Sequence, residues 1–335
     1  MSPETVSALS ANLLSPAVLF FLLGVVATLS RSDLKFPEPL YVTLTIYLLV
    51  AIGFKGGAAV SKAGLAVIWK PTLLAMGLGA LIPLAAYPIL RFVGRFSAVD
   101  SAAISAHYGS VSAVTFIAAT NYLKQIQVPY QEYASAFLAV MEAPAIILGV
   151  VLGRLGGNSS VKEAGSLVQT LRRSVHEAVF GRSVVLLVGS MLIGWASGSK
   201  GAEMTAGFLV GPFQGVLCLF LLEMGMVAAR RFGDLRKVGG FLVVFGIVAP
   251  LLHGALGIVC ARWMGLDTGT SLLLATLAAS ASYIAAPAAM RLSLPEANPT
   301  YYLTAALGIT FPFNLTLGLP LYLEMARRWT SSPVS

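Results

Sequence analysis

Two stretches carry hydroxyl side chains where a membrane helix should be most apolar. Ala278-Ala-Ser-Ala-Ser-Tyr-Ile-Ala-Ala-Pro287 falls midway along an apolar run from about Thr268 to Leu292. Gly109-Ser-Val-Ser-Ala-Val-Thr-Phe-Ile-Ala-Ala-Thr120 falls inside a run from Asp100 to Leu123. An unsatisfied polar group in hydrocarbon costs several kcal/mol, so this chemistry at mid-span predicts helices that break. A half-helix that starts in the membrane offers unpaired N–H groups and a positive dipole end to an anion. Freed carbonyls and hydroxyls suit a hard cation such as Na+. The candidates for substrate binding are Ser110, Ser112, Thr115, Ser280, Ser282 and Tyr283. The competing reading is helix packing, since Gly, Ala and Ser let membrane helices approach closely.

A carboxylate inside an apolar span is a functional candidate by default, and Met141-Glu-Ala-Pro144 supplies Glu142 beside a helix-breaking proline. Its counterpart later in the chain, Thr310-Phe-Pro-Phe-Asn314, supplies Thr310 and Asn314. These three are the candidates for a coupling-cation site, with a structural pairing of Glu142 as the alternative. Glu223 ranks below them, because near a span end it can snorkel to water or pair with Arg230. His107 and His253 have no metal partner at helical spacing and read as hydrogen-bonded packing residues, with a proton relay as the minority view. Asp100 and Asp267, at the starts of the polar spans, read as N-terminal caps. Cys218 and Cys260 read as small buried hydrophobes.

The elements that hold these residues follow from composition. Of 335 residues, 57% are hydrophobic and only 11% charged, against about 25% charged in soluble domains; the mean hydropathy is +0.83. The chain is therefore an all-α integral membrane protein. Its net charge of +8 comes from Lys and Arg set singly or in pairs between apolar runs, a loop pattern that excludes nucleic acid as partner. Residues 1–13 hold no Lys or Arg, which argues against a cleavable signal peptide. No His-Glu-x-x-His, P-loop or Gly-x-Ser-x-Gly is present, so an enzyme or a nucleotide-driven pump is not expected, and no cofactor is.

At about 20 residues per crossing, ten transmembrane helices are predicted: 14–30, 39–54, 71–93, 100–122, 134–153, 178–197, 207–229, 238–261, 268–292 and 300–325. The polar stretch 154–177 divides them into a first five-helix repeat (1–153) and a second (178–335). With the N-terminus outside, thirteen Lys and Arg fall in inner loops and eight outside, and Arg182 leans inward. Both termini are then outside and 154–177 is a cytoplasmic linker. At a shift of 167 residues, Phe116-Ile-Ala-Ala-Thr120 falls on Tyr283-Ile-Ala-Ala-Pro287, Pro83 on Pro250, Arg95 on Arg262, Asp100 on Asp267 and Lys124 on Arg291. An odd number of spans per repeat inverts the second copy. Inverted repeats with discontinuous helices at mid-membrane are a secondary-transporter architecture.

The order of motifs Ile52-Gly-Phe-Lys-Gly-Gly57, Gly109-Ser-Val-Ser112, Met141-Glu-Ala-Pro144, Met224-Gly-Met226, Asp234-Leu-Arg-Lys237, Ala249-Pro-Leu-Leu-His253 and Ala278 through Pro299 resembles the sodium-dependent bicarbonate transporters of cyanobacteria and their bacterial relatives. The resemblance implies a multi-pass protein of the bacterial inner (plasma) membrane, a homotrimer that takes up inorganic carbon as HCO3− with Na+. It also implies an anion site between the fourth and ninth spans and restraint by a small cytoplasmic regulator of the P-II type. The chain departs from it in places. The family's ninth-span motif reads like Ser-Ser-Ser-Asp-Ile-Ser-Gly-Pro-Pro, whereas Tyr283 stands here for the acid and Ala281 and Ala285 for two hydroxyls. Val114 replaces a serine, and the 154–177 connection is shorter. Fewer oxygen ligands leave three alternatives open: bicarbonate symport, a carrier of another small organic anion coupled to H+ through Glu142, or a membrane sensor without transport.

Overall fold

In lipid every backbone polar group must bond within its own segment, and the apolar runs accordingly become helices. The computed structural model describes residues 10–156, 172, 175, 176 and 179–330, and contains no strand among them. The helices are α1 (Pro16–Leu29), α2 (Glu38–Ala63), α3 (Leu65–Pro88, continued by a π turn over Ile89–Val93), α4 (Ala98–Gly109), α5 (Ala113–Gln125) and α6 (Ser135–Gly156). They continue as α7 (Arg182–Leu209), α8 (Phe213–Phe232), α9 (Leu235–Trp263), α10 (Thr268–Ala278) and α11 (Ala285–Ser293), and end with α12 (Pro299–Trp329). Among the described residues, eight helical segments are long and apolar enough to cross a membrane, with α4 and α5 counted as one. Two of the ten predicted spans fall short by length: α1 has 14 residues and α10 has 11. The linker predicted at 154–177 lies, past Gly156, outside the described residues except for Arg172, Val175 and His176.

Caps set the helix starts. Asp267 caps α10, accepting from Thr270 N–H and Thr270 Oγ1–H, both at 2.8 Å. Asp100 does not cap α4 as its position suggested. Ser97 is the cap and accepts from Asp100 N–H at 3.0 Å. The Asp100 carboxylate instead takes the Ser97 hydroxyl at 2.6 Å and Asn298 N–H at 2.8 Å, which ties α4 to the start of α12. The second span runs nine residues past its predicted end, to Ala63, because Gly64 with φ +83 is what stops it. Lys55 and Lys62, counted as loop charges in the sequence, therefore ride on α2 itself.

Close helix contacts run through glycine, as they do where lipid gives no hydrophobic drive for association. A Cβ on Gly24 of α1 would strike the Leu222 carbonyl of α8, and one on Gly225 would strike Phe21. Gly53 and Gly57 of α2 lie on the carbonyls of Leu187 and Met191 in α7, and Gly194 returns the contact to Phe54. Thus α1, α2, α7 and α8 form one group. In the other, α3 and α4 pack on α6, while α10 packs on α9 and α12. The broken segment α4–α5 is the most deeply buried of the crossing segments. Gly225→Ala should destabilise the protein by about 1–3 kcal/mol through overpacking, seen as a lower melting temperature in detergent. Gly77→Ala, inside α3 where a Cβ meets nothing within 4 Å, is the control expected to melt no lower than the parent, since Ala is the better helix former.

Candidate functional site

The helical hydrogen-bond ladder stops twice, over Ser110–Ser112 and over 279–284. Each stop exposes backbone groups that need partners, and each finds them in the other. Ser112 N–H donates to Ser280 Oγ at 2.9 Å, and Ser282 N–H donates to the carbonyl of His107 at 2.7 Å. Ser280 Oγ–H in turn donates to Leu277 O at 2.8 Å. Ser112 caps α5, accepting from Thr115 N–H at 3.1 Å and from Thr115 Oγ1 at 2.9 Å. Ser282 Oγ accepts from Ala286 N–H at 3.2 Å in the first turn of α11, whose N-cap position is Ile284. Five of the six residues predicted for substrate are thus brought together by hydrogen bonds or direct chain neighbourhood around one junction. Ser110 belongs to the same break but points its buried Oγ at no partner.

Beside the junction lies a small cavity, lined by Ser112, Ala113, Glu142, Ser282, Tyr283 and Ala285 among others. The first residues of α5 and α11, Ala113 and Ala285, both line it, so two helix starts bring their positive dipole ends to one space. Leu49 of α2, and Ser183 and Leu187 of α7, close it from the other helix group. The cavity sits on the seam between the two groups. A larger space of about 770 Å³ adjoins it, sharing Ser183, Ile284 and Ala285, with Tyr41, Thr45 and Arg182 in its wall.

Tyr283 packs edge-on to Phe311 with ring centroids 5.4 Å apart, and its buried hydroxyl lies near the Ser112 side chain without completing a hydrogen bond of good geometry. Glu142 is buried and enters no ion pair or hydrogen bond among the described residues. Asn314 and Thr310 do not join it. Asn314 Nδ2–H donates to Ala279 O at 2.8 Å and its Oδ1 accepts from Tyr322 at 2.7 Å. Thr310 Oγ1 donates to Gly246 O and meets the Tyr108 hydroxyl, both at 2.7 Å. Both sit at the ends of π segments in α12, Thr304–Thr310 and Asn314–Gly318, a geometry frequent at functional sites.

Other expectations divide. His107 is a packing residue: Nδ1 bonds Ala103 O at 2.6 Å and the ring stacks on Tyr302 at 4.3 Å. Its carbonyl, however, serves the junction, which side-chain chemistry could not announce. Glu223 is buried with Oε2 unpartnered, rather than paired with Arg230. Tyr108, although it directly precedes the first serine cluster, and Tyr322 carry no sequence signal of their roles, because Tyr108 meets its partner Thr310 only across the fold and Tyr322 reaches Asn314 within α12.

The sequence profile of the Na+-dependent bicarbonate transporter superfamily matches residues 16–327. The chain belongs to that superfamily. No individual curated protein matches it. Superfamily membership and the apolar helices together make it a membrane transporter by class. Within this superfamily fold, Asn314→Ala is expected to be among the costly changes, because it strands the Ala279 carbonyl and the Tyr322 hydroxyl. A loss of about 1–3 kcal/mol follows for each orphaned group, against about 1 kcal/mol for Tyr322→Phe. Thermal unfolding in detergent reads both.

Proposed function

We propose that this superfamily member is a secondary transporter that moves a small anion, bicarbonate first, together with Na+. The observation that carries the reading is the meeting of two broken segments, joined by the Ser112–Ser280 and Ser282–His107 hydrogen bonds, beside a cavity on the seam between helix groups. Ser110, Ser112, Thr115, Ser280, Ser282 and Tyr283 are assigned to the anion. The helix starts at Ala113 and Ala285 supply its charge complement, and the unpartnered hydroxyls of Ser110 and Tyr283 supply donors. Buried polar atoms without partners in a native fold call for a ligand, ion or water.

Glu142 provides counter-charge for the cation at the cavity. Thr310 and Asn314 mark a second oxygen-rich locus, where π segments free carbonyls. The neighbour pairs support two inverted five-helix repeats among ten segments. Counting α4–α5 and α10–α11 as single segments, exchanging the halves turns α1–α8 packing into α7–α2 packing, and α4–α6 into α10–α12. Alternating access then follows from movement of one group against the other. The homotrimer, the inner-membrane setting with both termini outside, and a P-II-type regulator belong to the same proposal through the family resemblance. One observation favours a second coupling mode: an unpaired buried carboxyl at Glu142 can carry H+ instead of balancing Na+.

Purified protein in proteoliposomes should accumulate labelled bicarbonate only with an inward Na+ gradient. Ser280→Ala with Ser282→Ala should lower uptake by about tenfold or more, as two lost hydrogen bonds imply, while the protein remains folded. Bicarbonate flux indifferent to Na+ would sink the symport. In Glu142→Gln, uptake that persists without responding to either Na+ or pH would locate the coupling there, and uptake still driven by Na+ would remove Glu142 from it.

A further inference from the structure

The three helices that wall the candidate cavity also wall a second one. Leu49, Ala113 and Leu138 line the first; Ile52, Phe116 and Ser135, each three residues away on the same helices, line a second small space. Three residues advance a helix by about 4.5 Å. The two spaces are therefore stacked, with Ile52 and Phe116, both buried, as the partition. Lys55 and Lys124 line the second space, Nζ standing 4.8 Å and 5.9 Å from the centroid of the same Phe213 ring. Neither lysine has an ion pair or hydrogen bond among the described residues. Glu132 shares the lining but stays beyond ion-pair distance, so the walls carry two positive charges and one negative.

The alternative is that each lysine is there for its helix. That accounts for Lys124, which lies in the last turn of α5, where the dipole favours a cation. It does not account for Lys55, eight residues inside α2, where a charge is costly in a membrane-length helix. Nor is Lys55 free to drift, because a Cβ on neighbouring Gly56 would strike Ser135, so α2 is pressed against α6 at that point. Two ammonium groups on one ring repel each other, and the ring's quadrupole offsets only part of this. A small anion between them removes the rest. The hydroxyls of Thr120 and Ser135 are already given to the carbonyls of Ile117 and Glu132, so the hydroxyl donor in the wall is Tyr130, which burial, with Glu132 adding to the effect, pushes well above its usual pKa and so keeps protonated.

We propose that the Lys55–Lys124 cavity is a second binding site for a small monovalent oxyanion, one helical turn from the junction of the breaks and separated from it by Ile52 and Phe116. The class of ligand rests on the transport reading; the site itself rests on the lysines. Bicarbonate titrated calorimetrically into the full chain in nanodiscs should reveal two classes of site. Lys55→Gln with Lys124→Gln should abolish one class and raise the half-saturation of uptake by about tenfold, leaving the maximal rate largely intact. Ser280→Ala with Ser282→Ala should keep the lysine-dependent class while losing uptake. Should those serine changes leave uptake normal, the junction reading fails while lysine-dependent binding still stands. An unchanged isotherm and half-saturation in the folded lysine double variant overturns the second site. If that variant does not fold, Lys124→Gln alone decides by the same criterion, since Lys124 is exposed.

Discussion

A peptide group inside a membrane cannot be left without a partner, and this fold breaks two helices there. Water is not on hand to repair such a break, so the repair must come from protein. The Ser112 amide finds the Ser280 hydroxyl, the Ser282 amide finds the His107 carbonyl, and the Ala279 carbonyl finds Asn314. Each break is tolerable because the other stands against it. That mutual dependence explains why the α4–α5 segment is so thoroughly buried, and why the sequence spends small residues around it. A bulky side chain near Gly109 or Gly149 would push apart the helices that hold the breaks in register, since Cβ atoms there would meet Pro83 and Ala106.

The glycine seams have a second consequence. Between α1 and α8, and between α2 and α7, backbone lies on backbone, which ties these four helices into one body. The junction belongs to the other body. The cavity falls between the two, with Leu49 and Leu187 facing Ser112, Glu142 and Tyr283 across it. Apolar leucines on one side and hydroxyls with helix starts on the other give few directional bonds across the seam. A boundary of that kind can slide without breaking the hydrogen bonds that hold the junction itself.

How much of this could be read in the sequence depends on whether a feature is chemical or geometric. Hydroxyls at Ser112, Ser280 and Ser282 are out of place in an apolar run, and their meeting followed from the repeat that aligns them. The membrane class followed from composition. The length of α2 was not legible, because Lys55 and Lys62 look like loop residues although both fall inside the helix, which runs on to Ala63. The 14-residue α1 looked longer because its apolar neighbours count equally in a window. Asp100 was misplaced by three residues as a cap, since Ser97 and Asp100 form the reciprocal pair together. Main-chain acceptors such as His107 O have no signature in any side chain.

Tyr283 bears most directly on what the cavity can hold. In the bicarbonate transporters that the chain resembles, the matching position is read as an acid; here it is a phenol whose ring rests on Phe311 and whose hydroxyl is buried and unpartnered. A neutral donor in place of a carboxylate removes a negative charge from a space that two helix starts make positive. An anion is held more readily by that exchange, and a cation less so. Among the described residues Glu142 is then the sole acid in the cavity wall, so under the proposed coupling one side chain must either balance Na+ or carry H+. Under the proposed coupling, the departure in the ninth segment shifts that role to the fifth, at a residue with no hydrogen bond or ion pair among the described residues.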